Sequence, residues 1–351
     1  MLPYWITFII FSFGSLSRRF YVDRRLGPVL GAALVALTLF VGLRYKVGAD
    51  WGGYHEIYRR AGLQDWSRFL SYGDRGFNAL VWTLKNVDLE IWSLNLVCAV
   101  IFMVGLSAFA RQMPNPWLTV TVAMPYLIFV VAMSGIRQAA AIGLFYLAIV
   151  AYREKQLIKA VVWLLLASSF HASAILMLGV AGLSFSRSRF QSALIVGVTL
   201  FVAYYVLSSS FDVYSTRYGQ HQIQSSGTIY RILMNMLAAL PYLLLKSRFP
   251  TEGEHEATLW RNMSWLSIAC LPALAVVTSS TALDRFCLYL IPLQTYVLTW
   301  LPSVLSKGQK KETVWTGGIL IYLAAILLVF LAYAVNAKSS VPYRFYPLSG
   351  E

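Results

Sequence analysis

Twelve apolar runs, between 12 and 22 residues long, follow one another along the chain: 2–17, 27–43, 91–109, 117–133, 136–152, 160–171, 172–185, 191–207, 232–245, 262–279, 285–304 and 314–335. A helix needs about 20 apolar residues to cross about 30 Å of hydrocarbon, and a backbone in lipid must satisfy its own hydrogen bonds. Runs of this length, without the period-2 alternation of barrel strands, predict an all-α polytopic integral membrane protein with about twelve transmembrane helices. A balance of 58% hydrophobic to 13% charged residues, with a mean hydropathy of +0.62, excludes a water-soluble domain. No linker, low-complexity tract or internal repeat breaks the pattern, so residues 1–351 read as one membrane domain. Two stretches are ambiguous. Residues 160–185 make either one tilted helix or two short ones meeting near His171, and 76–87 suits a re-entrant or interfacial helix better than a span.

Basic residues orient the chain. The breaks after the odd-numbered runs carry sixteen Lys and Arg, six of them lysine, and these are placed in the cytoplasm. The first run has no basic region before it and Arg18, Arg19, Arg24 and Arg25 after it, which predicts a retained helix rather than a cleaved signal. The opposite face carries thirteen basic residues, ten of them arginine. Arginine's planar fork suits bidentate recognition of phosphate or carboxylate, so the excess on that face points to binding. Arg153, in the cytoplasmic set, reads as an ordinary loop cation whose loss leaves function intact. The net charge of +14 does not imply nucleic acid, because no soluble basic domain or basic helix is present to hold it.

Between the second and third runs lies an outer-face loop, 44–90, whose first part is RYKVGADWGGYHEIYRRAGLQDWSRFLSYGDR. Six basic residues and six Trp or Tyr residues mix over Arg44–Arg75, a composition for headgroup depth. After Gly52 and Gly53, Trp51, Tyr54 and Tyr58 fall on one face of a short amphipathic helix. Asp50 and Glu56 are candidates for a base or for orienting a hydroxyl, and equally for ion pairs with the neighbouring arginines. The second outer loop, 208–231, mixes hydroxyls, amides and tyrosines with Arg217 and Arg231, a surface suited to sugars or simply to solvent.

Arg137 stands in MSGIRQAAAIGLFYLAI, where small residues leave room for a ligand, although an arginine at a helix end also serves as an interfacial anchor. Arg285 follows Asp284, and Tyr289 lies at i+4 from it on the same helical face; Asp284 reads as an N-terminal helix carboxylate. His171 is alone in LLLASSFHASAILML, either a hydrogen-bonded core residue or a base for a sugar hydroxyl at the level of Arg137 and Arg285. Metal spacings, a Walker loop and a GxSxG elbow are absent, so no metal or cofactor is expected. Cys98, Cys270 and Cys287 lie inside apolar runs and read as small buried hydrophobes.

RYKVGADWGGY, then DRGFNALVW, SGIRQAAAIGLFYLAI, FHASAIL, LDRFCLYLIP and the terminal VPYRFY together resemble the EpsG family, which belongs with Wzy-type polymerases of exopolysaccharide or O-antigen repeat units. The resemblance covers nearly the whole chain. Asp74 and Arg75 stand where that family usually has a glutamate, so the resemblance carries no carboxylate role to this position.

The resemblance implies a GT-C-like helical bundle in the bacterial cytoplasmic membrane, with its site facing the periplasm or exterior. It implies two undecaprenyl-diphosphate-linked oligosaccharides as donor and acceptor, and it admits a chain-length regulator as a protein partner. On this reading Arg44, Arg137, Arg231 and Arg285 clamp the leaving diphosphate, with Tyr54, Tyr289 and Arg217 also binding substrate. His171, ahead of Asp50, is the base. The rivals are a ligase using the same donor and a transporter of lipid-linked sugar; clustering of arginine at one membrane level, without an internal repeat, favours an enzyme over the transporter.

Overall fold

A computed structural model describes residues 1–17, 19–20, 27–71, 73–186, 188–202, 227–277, 280–306 and 309–349. Every regular element among them is helical, and the described residues contain no strand, only an isolated bridge between Arg44 and Phe345. In chain order the helices are α1 (Leu2–Leu16), α2 (Gly27–Gly42), α3 (Trp51–Ala61), α4 (Trp66–Leu70), α5 (Arg75–Asn86) and α6 (Ile91–Ala110). Then come α7 (Pro116–Ala123), continued by a π-helix over Met124–Ala132, α8 (Ile136–Arg153), α9 (Leu157–Phe170), α10 (Leu176–Leu183) and α11 (Arg189–Val202). The rest are α12 (Thr228–Leu245), α13 (Glu254–Val276), α14 (Ser280–Leu288), α15 (Ile291–Leu305), α16 (Gln309–Tyr333) and the one-turn α17 (Tyr346–Ser349).

The described part of every apolar run is mostly helical, with 285–304 divided between α14 and α15, but length separates the helices. Four segments, Ile91–Ala110, Ile136–Arg153, Thr228–Arg248 and Lys311–Tyr333, are long and apolar enough to cross a bilayer alone. The α14–α15 pair adds a fifth if its 42° bend is taken within one span. Six other apolar helices have 10–17 residues. The ambiguous 160–185 segment forms two helices: His171 is extended, at φ −153° and ψ 114°, and ends α9 before a 3-10 turn leads into α10. Fourteen residues of α9 reach only about 21 Å at 1.5 Å per residue.

The centre of the bundle is α8, fifteen of whose eighteen residues are buried. It packs against α6 on one side and α9 on the other. Gly105 of α6 and Gly143 of α8 let the two backbones touch, since a Cβ on either would collide with the other chain segment. At the far end of α8, Arg153 pairs with Glu256 at 3.0 Å, with side chains only 7% and 2% exposed. Trp260 Nε1 and the Glu252 amide donate to the same carboxylate at 2.9 and 2.6 Å. Arg153 is therefore not the loop cation that its place in the sequence suggests; it neutralises a buried acid between α8 and α13.

Candidate functional site

The opposite end of α8 is where the candidate residues collect. Gly135 precedes α8, and Arg137 sits in its first turn, so the guanidinium adds to the positive end of an 18-residue helix dipole. Arg137 Nη1 donates to Asp74 Oδ2 at 3.0 Å. The other oxygen, Asp74 Oδ1, accepts from the amide of Ala172 at 2.9 Å, the residue after His171. Gly76 brings this about: a Cβ there would collide with Ser169, so glycine lets the start of α5 lie directly against the end of α9.

His171 is buried, and its Nδ1 shares a 2.7 Å hydrogen bond with Ser173 Oγ. Its ring centroid is 6.3 Å from that of Tyr289. Tyr289 is fully buried, and its hydroxyl, close to Ser173, closes no hydrogen bond there. The expected shared helical face with Arg285 is corrected: α14 stops at Leu288, and Tyr289 lies in the break before α15. Pro292 causes the break, because it has no N–H to continue the hydrogen-bond ladder. Arg285 stays on α14, where Gln138 Nε2 holds its carbonyl oxygen at 2.7 Å.

Arg137 and Arg285 both lie close enough to act electrostatically on Asp50, Asp74 and His171. Burial pushes the Asp74 carboxyl up from its ordinary range, against Arg137, the Ala172 amide and Arg285, which pull it down. Crowding by protein likewise raises Asp50, opposed by Arg137 and Arg285, although its side chain keeps access to solvent. Tyr54 and Phe77 flank the Arg137 guanidinium, with ring centroids 5.8 and 5.6 Å away.

Other expected residues go elsewhere. Arg44 is 1% exposed, and its guanidinium donates to the carbonyls of Val41, Val47 and Met133 and to Asn95 Oδ1, between 2.8 and 3.2 Å. It braces the loop against the Met133–Ser134 turn that leads into α8. Gly48, at φ +108°, packs against the Met133 carbonyl where no side chain fits. The terminal VPYRFY is part of the same brace: the Tyr45 amide donates to the Arg344 carbonyl at 2.9 Å and the Tyr346 amide to that of Leu43 at 2.7 Å.

Arg231, on α12, is paired with Asp284 and bonded to the Tyr126 hydroxyl. Asp284 is thus the partner of a cation in mid-helix rather than an N-terminal helix carboxylate. Glu56 is bound by Arg59 at 2.9 and 3.0 Å and by Arg60 at 2.6 Å, and these bonds hold its carboxyl at about 2. Arg217 and most of the 208–231 loop lie outside the described residues. Among the described residues, no three of His, Cys, Asp and Glu gather closely enough to hold a metal ion. Asp74 is the residue that sequence reasoning set aside; its signal was the DRG at a helix start, with a glycine two residues on.

Four to five helices long and apolar enough to cross a membrane, with shorter apolar helices beside them and a cluster of guanidinium, carboxylate and imidazole groups at one end of α8, define a multi-pass membrane protein. The EpsG family model matches residues 29–345, and the chain belongs to that family, whose members are Wzy-type polymerases. No curated relative and no solved structure matches it.

Proposed function

We propose that the protein is a glycosyltransferase of the polymerase type, joining undecaprenyl-diphosphate-linked oligosaccharide repeat units at the outer face of the bacterial cytoplasmic membrane. The carrying observation is the convergence of Arg137 and Arg285 on His171 and Asp50 at the positive end of α8. Two guanidinium groups and a helix N-terminus suit a diphosphate, and neutralising its charge makes it a good leaving group. On this reading the all-helical fold, with four or five candidate spans and shorter apolar helices, is a GT-C-like bundle.

In the reaction a hydroxyl oxygen at the non-reducing end of the acceptor attacks the anomeric carbon of the donor. The C–O bond to phosphate breaks, its electron pair leaves with undecaprenyl diphosphate, and the hydroxyl proton passes to His171. One direct displacement inverts the anomeric centre. Arg137 and Arg285 stand near enough to His171 to act on it electrostatically, so an anion held between them ties proton acceptance to donor occupancy. Asp50, open to solvent beside the same cations, is placed to orient the acceptor hydroxyl.

The test is the purified protein with lipid-linked repeat units, followed by glycan length. Growth of the glycan, with release of undecaprenyl diphosphate, supports the reading. Donor that crosses the membrane unchanged, or moves once to a foreign acceptor without elongation, refutes it in favour of a transporter or a ligase.

A further inference from the structure

An aspartate at a helix N-cap ordinarily accepts from the amides of the first turn. Asp74 caps α5 and makes no such bond. Its oxygens instead reach two other segments, Arg137 Nη1 on α8 at 3.0 Å and the Ala172 amide after α9 at 2.9 Å. The side chain is 10% exposed, so the local cap is given up for contacts inside the protein. His171 is extended at the break, where its amide closes α9 on Ala167 and its carbonyl accepts from Ala174; the Ala172 amide is the bond that ties this break to another segment, through Asp74.

We infer that Asp74 is the positioning residue of this site, one carboxylate that holds the Arg137 guanidinium and the His171 break in a fixed relation, so that cation and imidazole meet the same ligand. The inference rests on the transferase reading above. Asp74 acts through Arg137 and His171 and contacts no reacting atom. Removing its charge leaves Arg137 available to a diphosphate but no longer aimed. Donor binding is therefore kept or tightened while the chemical step slows, because misplacement of a catalytic group by about 1 Å can cost about 100-fold.

Two substitutions separate the halves of the contact. Asp74→Asn removes the charge that holds Arg137. Ala172→Pro removes the amide donor and sets its ring where Asp74 Oδ1 lies, so the carboxylate keeps its charge but leaves the break; proline is tolerated at the first position of a helical turn, and the extended His171 already has the conformation favoured before proline. With lipid-linked donor, each variant is expected to lower kcat by about tenfold or more, with donor KM unchanged or lower. Wild-type kcat in either variant, or a raised KM with kcat intact, overturns the inference. If Asp74→Asn does not accumulate in membranes, Ala172→Pro decides the matter alone. A wild-type protein inert toward the donor sinks the transferase reading instead. Hydrogen exchange across residues 167–176 then judges Asp74 separately: faster exchange in Asp74→Asn upholds the contact, and unchanged exchange refutes it.

Discussion

The side-chain Nε2 of Gln138 donates a 2.7 Å hydrogen bond to the carbonyl oxygen of Arg285, so the residue beside one guanidinium holds the backbone of the other. The two cations come from helices far apart in sequence, and this bond ties α8 to α14 where the pair must act together. Small residues at Ala139, Ala140, Ala141 and Gly143 let neighbouring helices approach α8, and the long polar Gln138 side chain reaches across.

Gln138→Leu is therefore expected to keep the protein in the membrane, since a single hydrogen bond contributes about 1 kcal/mol to stability. It leaves the Arg285 carbonyl without its donor and lets α14 shift. Turnover of lipid-linked donor should fall about tenfold, in proportion to the displacement of Arg285. Membrane abundance and initial rate, measured on the same preparation, separate the two effects; full activity would show that Arg285 is held by other contacts.

Arg153→Ala acts at the other end of α8 and for another reason. Glu256 is 2% exposed, and an uncompensated buried charge left by removal of its partner costs about 3–5 kcal/mol. The variant is expected to lose thermal stability and abundance, so it is no neutral comparison for variants at the Arg137 end of α8. Adding Glu256→Gln removes the stranded charge and should restore part of the loss. A melting curve of the single variant that overlays the wild type would show that water or another cation already serves Glu256.

Gly76→Ala tests how α5 is seated. The new Cβ meets Ser169, and overpacking of this kind costs about 1–3 kcal/mol. Because Asp74 is two residues away, α5 cannot retreat without drawing the carboxylate from Ala172. Reduced turnover is expected, with partial recovery on adding Ser169→Gly, which removes the nearest obstructing atoms. Unchanged turnover in the single variant would mean that the helix start yields without moving Asp74.

Much of this architecture was legible in the chain, and the exceptions have physical causes. Apolar runs report burial in lipid whatever the packing, so the described part of each is mostly helical, one of them divided between α14 and α15. They do not report length, because α9 and α10 are divided by an extended His171 that no apolar scale registers. Arg137, Arg285, His171 and Asp50 were visible as ionisable groups at the edges of runs. Arg44 was visible for the same reason, but its partners are carbonyl oxygens, which every residue has and no sequence displays. Asp74 looked like one more loop acid because its two partners lie 63 and 98 residues away.

Acidity should act on stability and turnover with opposite signs. The folded Asp74 carboxyl is raised by burial above its unfolded value of about 3.9. The folded state therefore holds the proton more tightly, and stability falls as pH rises from the unfolded value through the folded one. Turnover instead rises over that window, because only the carboxylate pairs with Arg137. Asp74→Asn should flatten both profiles, apart from the contribution of Asp50, which is raised in the same direction. Melting temperature and initial rate measured from pH 4 upward, about where the unfolded carboxyl titrates, check this. Parallel profiles for wild type and variant would show that Asp74 does not titrate in the window.

His171→Gln and Asp50→Asn separate the two candidates for the base. Glutamine retains a hydrogen-bonding group for Ser173 but cannot take a proton at neutral pH, so losing the base should cost about 10²–10⁴ in rate. Asp50 is reached by solvent and makes no side-chain bond to its own helix, so Asp50→Asn should change acceptor KM more than kcat. The reverse pattern, with His171→Gln near wild type and Asp50→Asn inert, would transfer the proton to the carboxylate. It would also leave His171 as the hinge between α9 and α10, where its backbone amide donates to Ala167 at 3.0 Å and its carbonyl accepts from Ala174 at 3.0 Å, whichever side chain it carries.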